Sequence, residues 1–279
     1  MAATNAELRT LLQKGKIEEF NRVRPEGDID LQGEDLRGGD LQRAHLRGVN
    51  FQGANLSGSD LREVDLRGAH LQGVNLTNAN LRRAILQGAH LQGADLQGVN
   101  LANANLAKAN LANANLAGAN LTRAFLTEAD LTGANLTDAN LAETSFWLTN
   151  FRRAILRRAN FRKADFTGTN FRRANLSGAD FREANLIGVD FREAILPRAD
   201  FREAALLGTN LTGAILTGAH FQRAELLGAI LTGVDLTKVN LVGVDLSTVR
   251  GLSKEQQQLI IKKLKESWLD WSSDGYLER

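Results

Sequence analysis

An all-β solenoid closed at each end by a helical segment is the fold class this sequence predicts, and three observations carry the prediction. From Leu31 to Leu246 every fifth residue is Leu or Phe, which makes 44 consecutive pentapeptides. Two positions before nearly every one stands a small residue, mostly Ala or Val (Ala44, Val49, Ala54), with Thr144, Thr149, Thr169 and Thr209 as departures. Two positions after it stands Gly in 21 repeats, for example Gly53, Gly93, Gly133 and Gly213.

A five-residue period fits neither regular element. In an α-helix five residues advance by roughly 500°, so the Leu would spiral around every side. In an unbroken strand an odd spacing sends alternate Leu to opposite faces. If the chain turns a corner after each Leu, the small residue and the Leu both point inward every time. Each repeat is then a short extended piece plus a two-residue turn, and the glycines supply φ > 0 where the turn needs it. Arg153, Arg158, Glu183 and Glu203 occupy the same position, which predicts that some corners use a turn that tolerates a side chain. Spacing alone leaves three-sided and four-sided coils open.

The tandem pattern, as in Ala104-Asn105-Leu106-Ala107-Lys108, resembles the pentapeptide repeat proteins, and the resemblance covers residues 29–250. It implies a right-handed, quadrilateral β-helix with four repeats to a coil, hence about 11 coils stacked ~4.8 Å apart. It also suggests cyanobacteria-like members of the family, most of them without an assigned function.

The ends follow from the need to cover open core and unpaired backbone. Residues 1–28 form the N-terminal cap, with two short helices over 4–24. Thr4 and Glu7 make a capping box, Leu8, Leu11 and Leu12 an apolar stripe, and Gly15 a stop. Ile17, Phe20 and Val23 continue on the second helix, which ends before Pro25. Residues 251–279 open on Ser253 with Gln256, and Ile260, Leu264, Trp268 and Trp271 recur at helical spacing through 271. That helix is read as a cap or as an association element, including a homodimer contact, with 272–279 a loose tail.

With four repeats to a coil, residues 20 apart stack, and the outside sorts into four faces counted from the one carrying Leu31. Phe151, Phe171 and Phe191 stack on the first face, and Phe161, Phe181, Phe201 and Phe221 on the third, as core. The fourth face places apolar residues outward: Ile85, Phe125, Trp147, Leu148, Ile187, Leu207 and Leu227. A filled core does not require them there, so they are the candidate partner interface, presented as a flat apolar face. On the other three faces Arg152, Arg153, Arg157, Arg158, Arg162, Lys163, Arg172 and Arg173 form a basic belt. Residues 151–178 carry +7 in a chain whose net charge is +2. The belt suits an acidic partner; the plainer reading has the Arg residues tiling the surface against Glu183, Glu193 and Glu203.

Other columns read as structure. Arg43, Glu63, Arg83, Arg123, Glu143, Lys163, Glu183, Glu203 and Arg223 mostly alternate in sign on the third face, and Asn80, Asn100, Asn120, Asn140 and Asn160 make an amide ladder. His70 and His90 stack without a third ligand nearby, so no metal is expected. Thr122, Thr127, Thr132 and Thr137 run around a coil and form no flat threonine array.

With no Cys, four His and one Tyr, no loop insertion and no catalytic constellation, neither an enzyme nor a cofactor is expected. The N-terminal MAATNAELRT lacks an apolar run, and no stretch is long enough to span a membrane, so a cytoplasmic protein without membrane contact is expected. The predicted function is a non-enzymatic interaction, scaffold or regulatory module with a protein partner. The family resemblance implies an alternative, DNA-mimic binding to a type II topoisomerase, from which a loop-free chain of net charge +2 departs. Direct nucleic-acid binding through the Arg belt is the third reading and the least expected, since no aromatics interleave with the belt.

Overall fold

A computed structural model describes residues 3–25, 27 and 29–258. Parallel bridges pair residue i with i+20 along the rod, from Asp30↔Asn50 to Ile230↔Arg250. Four repeats therefore make one coil, and the 44 pentapeptides make 11, about 50 Å of rod at strand spacing. Each repeat closes three recurrent inter-coil backbone bonds and one within its own corner. In one repeat Leu41 N–H donates to the Asp60 carbonyl (2.8 Å), Arg43 N–H to Arg62 (3.0 Å), and Ala44 N–H back to Leu41 (3.1 Å).

The interior is what the period predicts. Central Leu and Phe and the small residues two positions earlier are buried along almost the whole rod. Thr144, Thr149 and Thr169 sit at the small position because their hydroxyls donate to the carbonyls of Leu121, Leu126 and Phe146 in the preceding coil, each at 2.7 Å. Thr209 donates to Leu206 within its own turn, at 2.9 Å. Burying a hydroxyl costs little once it is bonded.

The expected Phe columns stack with ring centroids 4.7–5.2 Å apart (Phe151–Phe171, Phe171–Phe191, Phe161–Phe181, Phe181–Phe201, Phe201–Phe221). A further stacked pair, Phe146–Phe166 at 4.7 Å, stands on the fourth face and meets Phe151, Phe161 and Phe171. The aromatic interior thus joins three faces.

The corners correct the sequence reading. Nearly every corner has the inner i+3→i bond and, as far as the corner of Gly233, a left-handed third residue, the signature of a type II turn. Gly53 has φ +65°, but Arg153, Arg158, Glu183 and Glu203 have φ +60°, +54°, +60° and +62°. Side-chain-bearing corners adopt the same geometry as glycine corners, because coil closure dictates the dihedrals. The local cost of roughly 1–2 kcal/mol per residue is carried by the core.

Asn and Asp before the central residue have a local reason also. The Asn50 Oδ1 accepts from Gln52 N–H at 3.1 Å, and Asn120 from Thr122 N–H at 3.1 Å, an Asx-type brace of the corner. The amide ladder is present in the Asn160–Asn140 bond of 3.0 Å.

At the N-terminus α1 (Asn5–Gln13) and α2 (Ile17–Val23) fold over the first coil. The Thr4–Glu7 box closes with bonds of 2.8 and 3.3 Å, and Leu8, Leu12 and Phe20 are fully buried. Asn21 replaces the missing preceding coil. Its amide donates to the Arg43 carbonyl (3.0 Å) and accepts from His45 N–H (2.8 Å).

At the other end Ser253 and Gln256 form the expected box (2.8 and 3.2 Å), helix follows from 254, and the Gln256 amide donates to the Val234 carbonyl. Ile260, Leu264, Trp268, Trp271 and the tail 272–279 lie outside the described residues.

Candidate functional site

The apolar residues assigned to the fourth face divide into two sets. Ile85 and Phe125 project from the face itself, one position before a central Leu. Trp147, Ile187, Leu207 and Leu227 take the first turn position and Leu148 the second, so they form the edge between the fourth and first faces. The expected flat face is instead a ridge, because turn residues point off the corner. Trp147 is 46% and Leu227 56% exposed, whereas Leu207 is half-buried.

Leu148 stands apart from every other corner. Among the described residues 21 side-chain-bearing positions have positive φ, and Leu148 (φ +54°) is the one apolar residue among them. The rest are Arg, Lys, Glu, Asp or Asn. Its side chain lies over Gly168, close enough that a Cβ there would meet Leu148 Cδ2 at 2.9 Å. Closure of the coil sets its dihedral as at every other such corner; what sets Leu148 apart is that an exposed apolar side chain stands where the repeat elsewhere has Gly or a polar residue. Leu148→Gly is expected to stabilise the rod by about 0.5–1 kcal/mol, the left-handed cost removed less the added chain entropy. Urea denaturation measures this, and a destabilised variant would show that Leu148 is held for packing.

The basic belt is partly neutralised. Arg158 pairs with Asp138 (2.6 Å), Arg162 and Lys163 with Glu183 (2.5 and 3.4 Å), and Arg172 and Arg173 with Glu193 (2.9 and 2.7 Å). Arg152, Arg153 and Arg157 have no ion pair among the described residues. The tiling reading therefore accounts for five of the eight cations and leaves three. The third-face ladder forms as expected, with Arg43–Glu63 at 3.0 Å and Arg123–Glu143 at 2.8 Å. Such exposed pairs contribute tenths of a kcal/mol.

A tighter pair recurs inside single repeats, where Asp precedes the central residue and Arg follows it. Asp60–Arg62, Asp65–Arg67, Asp190–Arg192 and Asp200–Arg202 close at 2.6 Å. Each carboxylate also accepts the Arg backbone N–H. The Arg62 and Arg67 guanidinium groups hold the Asp60 and Asp65 carboxyls below the usual range. At Asp190 and Asp200 partial burial pushes upward, and the bonds from Arg192 and Arg202 outweigh it.

A carboxyl depressed in the folded state contributes stability above its unfolded pKa, and that stability is lost as pH falls through the folded value. The melting temperature should hold steady down to about pH 4, the unfolded Asp range, and decline below it. A variant with Gln at 62, 67, 192 and 202 should decline less steeply; equal slopes would refute the assignment.

Sequence reasoning missed a second apolar column. Ile155, Ile195 and Ile215 are exposed on the second face, at the position the repeat fills with Asn or Asp, so apolar outward residues are not confined to the fourth face. The His70 and His90 rings stack 5.1 Å apart. Among the described residues no group of three or more His, Cys, Asp or Glu converges to hold a metal ion. None of their helices is long and apolar enough to cross a membrane.

A four-sided β-solenoid with side-chain-filled interior and uninterrupted corners is a repeat protein whose chemistry lies on its outer faces. The chain belongs to the pentapeptide repeat family, and its coil is that family's right-handed β-helix. The pentapeptide repeats model matches residues 28–62, 59–98, 94–133, 134–173 and 214–250, and the pentapeptide repeat region model 154–231.

Among solved structures, the chain is similar to HetL of the cyanobacterium Nostoc sp. strain PCC 7120, a pentapeptide repeat protein involved in heterocyst differentiation regulation. Identity is 33% over 80% of this chain and 89% of that one, with a TM-score of 0.36. It is also similar to QnrB1, a plasmid-mediated fluoroquinolone resistance protein, at 21% identity over 72% and 93% of the two chains, TM-score 0.43. A pentapeptide repeat protein of the Arabidopsis thaliana thylakoid lumen is 29% identical over 44% of this chain and 71% of its own, TM-score 0.23. No curated protein matches the sequence. Pentapeptide repeat proteins are generally non-catalytic structural or interaction proteins.

Proposed function

We propose that this chain is a non-enzymatic interaction module, a stiff rod that docks protein partners through the apolar ridge and the unpaired part of the belt. The observation that carries the reading is the ridge of Trp147, Leu148, Ile187, Leu207 and Leu227. It runs along one edge of a rod whose interior is already filled, and Leu148 stands exposed there at a corner position that elsewhere holds Gly or a polar residue. Binding by such an edge needs little shape change, since every coil is tied to its neighbours by backbone bonds on all four sides. Binding as a DNA mimic has less support. Asp60, Asp65, Asp190 and Asp200 each hold a guanidinium and cannot present a bare carboxylate stripe of the phosphate kind.

The test compares wild type with Trp147→Glu/Leu207→Glu by capture from native extract and by sedimentation. A partner, or a dimeric mass, should be lost only in the variant. Identical captured proteins together with an unchanged mass would remove the ridge as an interface.

A further inference from the structure

On the second face the repeat's usual Asn or Asp is replaced by Ile155, Ile195 and Ile215, which are 42%, 37% and 51% exposed. They belong to one column, joined in register through Asn175 by the bridges Ile155↔Asn175, Asn175↔Ile195 and Ile195↔Ile215. Folding does not call for them. Elsewhere on this face the position braces its corner, as where Asn115 accepts from Ala117 N–H and Asn135 from Thr137 N–H. Isoleucine cannot accept that bond, and it exposes apolar surface as well. At Ile195 the brace has no donor left to receive, because Pro197 takes the corner.

The two edges of this face hold the unspent positive charge. Arg152 and Arg153 lie on the edge shared with the first face, and Arg157 and Arg198 on the edge shared with the third. None of the four has an ion pair among the described residues, whereas the belt members farther round, Arg162 and Lys163, both rest on Glu183. The second face is therefore an isoleucine strip flanked on both edges by free guanidinium groups at its Ile155 end, with Arg198 continuing one edge to the level of Ile195.

We infer that this strip binds an acidic amphipathic helix of a partner protein, an inference that rests on the interaction-module reading and names a second docking surface within it. Coils rise by ~4.8 Å, so the three isoleucines stand at levels of roughly 0, 10 and 14 Å. A helix along the rod offers residues i, i+7 and i+10 at roughly 0, 10.5 and 15 Å. One face of an extended strand repeats every ~6.7 Å and falls out of step. Glu or Asp beside the helix's apolar stripe meets the arginines on either edge. A nucleic-acid backbone would satisfy the arginines but leave the isoleucines against phosphate, with no aromatic for a base to stack on.

The experiment is fluorescence anisotropy of the full-length chain with a labelled peptide of about 18 residues, five helical turns, with Leu along one face, Glu on both flanks and Ala elsewhere. The wild-type chain should bind it, less tightly as salt rises. Ile155→Asn/Ile195→Asn/Ile215→Asn restores the repeat's ordinary residue, so the fold is kept, and should weaken binding about tenfold or more. Arg153→Glu/Arg157→Glu should do the same, a peptide with Lys for Glu should not bind, and Trp147→Glu/Leu207→Glu should bind undiminished. Absence of wild-type binding, equal binding by the triple Asn variant, or displacement of the peptide by duplex DNA would each overturn the inference. If the wild type fails to bind the peptide while the ridge variant still loses its extract partner, the module reading stands and this inference falls.

Discussion

Phe171→Ala should lower the unfolding free energy by about 3–5 kcal/mol, the range for emptying a buried aromatic site. Phe171 is fully buried and sits between Phe151 (4.9 Å) and Phe191 (5.2 Å) in its own column. Phe161, Phe166 and Phe181 approach from the sides at 6.2, 5.2 and 6.1 Å. Removing the ring forfeits its transfer energy and its aromatic pairs, each worth about 0.5–1.5 kcal/mol beyond area. It also opens a cavity that cannot close. The neighbouring rings are fixed by backbone bonds such as Phe151 N–H to Asn170 (2.8 Å) and Phe191 N–H to Asn210 (2.8 Å), so no helix or loop can settle into the gap.

Phe171→Leu, which installs the repeat's ordinary residue, should cost less than about 1.5 kcal/mol. A urea series distinguishes these outcomes. A Phe171→Ala loss of under about 1 kcal/mol would mean that the stacked column is not a stability element.

The interior was legible because a pentad period phases every side chain once the chain is allowed to turn, and no tertiary accident can move Leu116 or Ala119 outward without moving all the rest. What was not legible depends on geometry the period does not encode. The period announces a corner after Arg153 without its dihedral; closure of the coil, and not residue preference, puts that arginine at φ +60°. Likewise it cannot say how many corners make a coil, which the i↔i+20 bridges decide.

The candidate site was half visible. Trp147 and Leu227 stand out because nothing apolar belongs at a turn, and the structure only moves them from a face to an edge. Ile155, Ile195 and Ile215 were available to the same reasoning, since nothing apolar belongs at the Asn position either. Their significance is not legible in the sequence, because the brace from that position to the corner N–H, and so the cost of losing it, is seen only in the folded coil. The belt's charge was plain in the sequence, but its partial cancellation was not. Arg172 reaches Glu193, 21 residues on, a neighbour made by stacking and by side-chain direction.

The register has a sharp test in adjacent leucines, Leu226 and Leu227, of which the first is 2% and the second 56% exposed. Leu227→Ala should change stability by no more than about 0.5 kcal/mol, as exposed substitutions do, while Leu226→Ala should be clearly destabilising. The size of the second effect depends on where in the rod it falls. Leu116, fully buried near the middle with its N–H on Asn135, should cost about 2–5 kcal/mol on truncation to Ala. Mid-rod damage must be carried through global unfolding or split the rod. Leu226 lies close to the C-terminal coil, where Leu241 and Leu246 are only partly buried. In a quasi-one-dimensional protein, stability is a sum of repeat and nearest-neighbour terms. An end coil loosened by Leu226→Ala can therefore fray while the remaining coils keep their neighbours. Leu226→Ala should then shift the main urea transition less than Leu116→Ala does, and hydrogen exchange should show its loss confined to the last coils. Equal shifts at both sites would mean that the rod unfolds as one unit, with the C-terminal end bound as firmly as the middle.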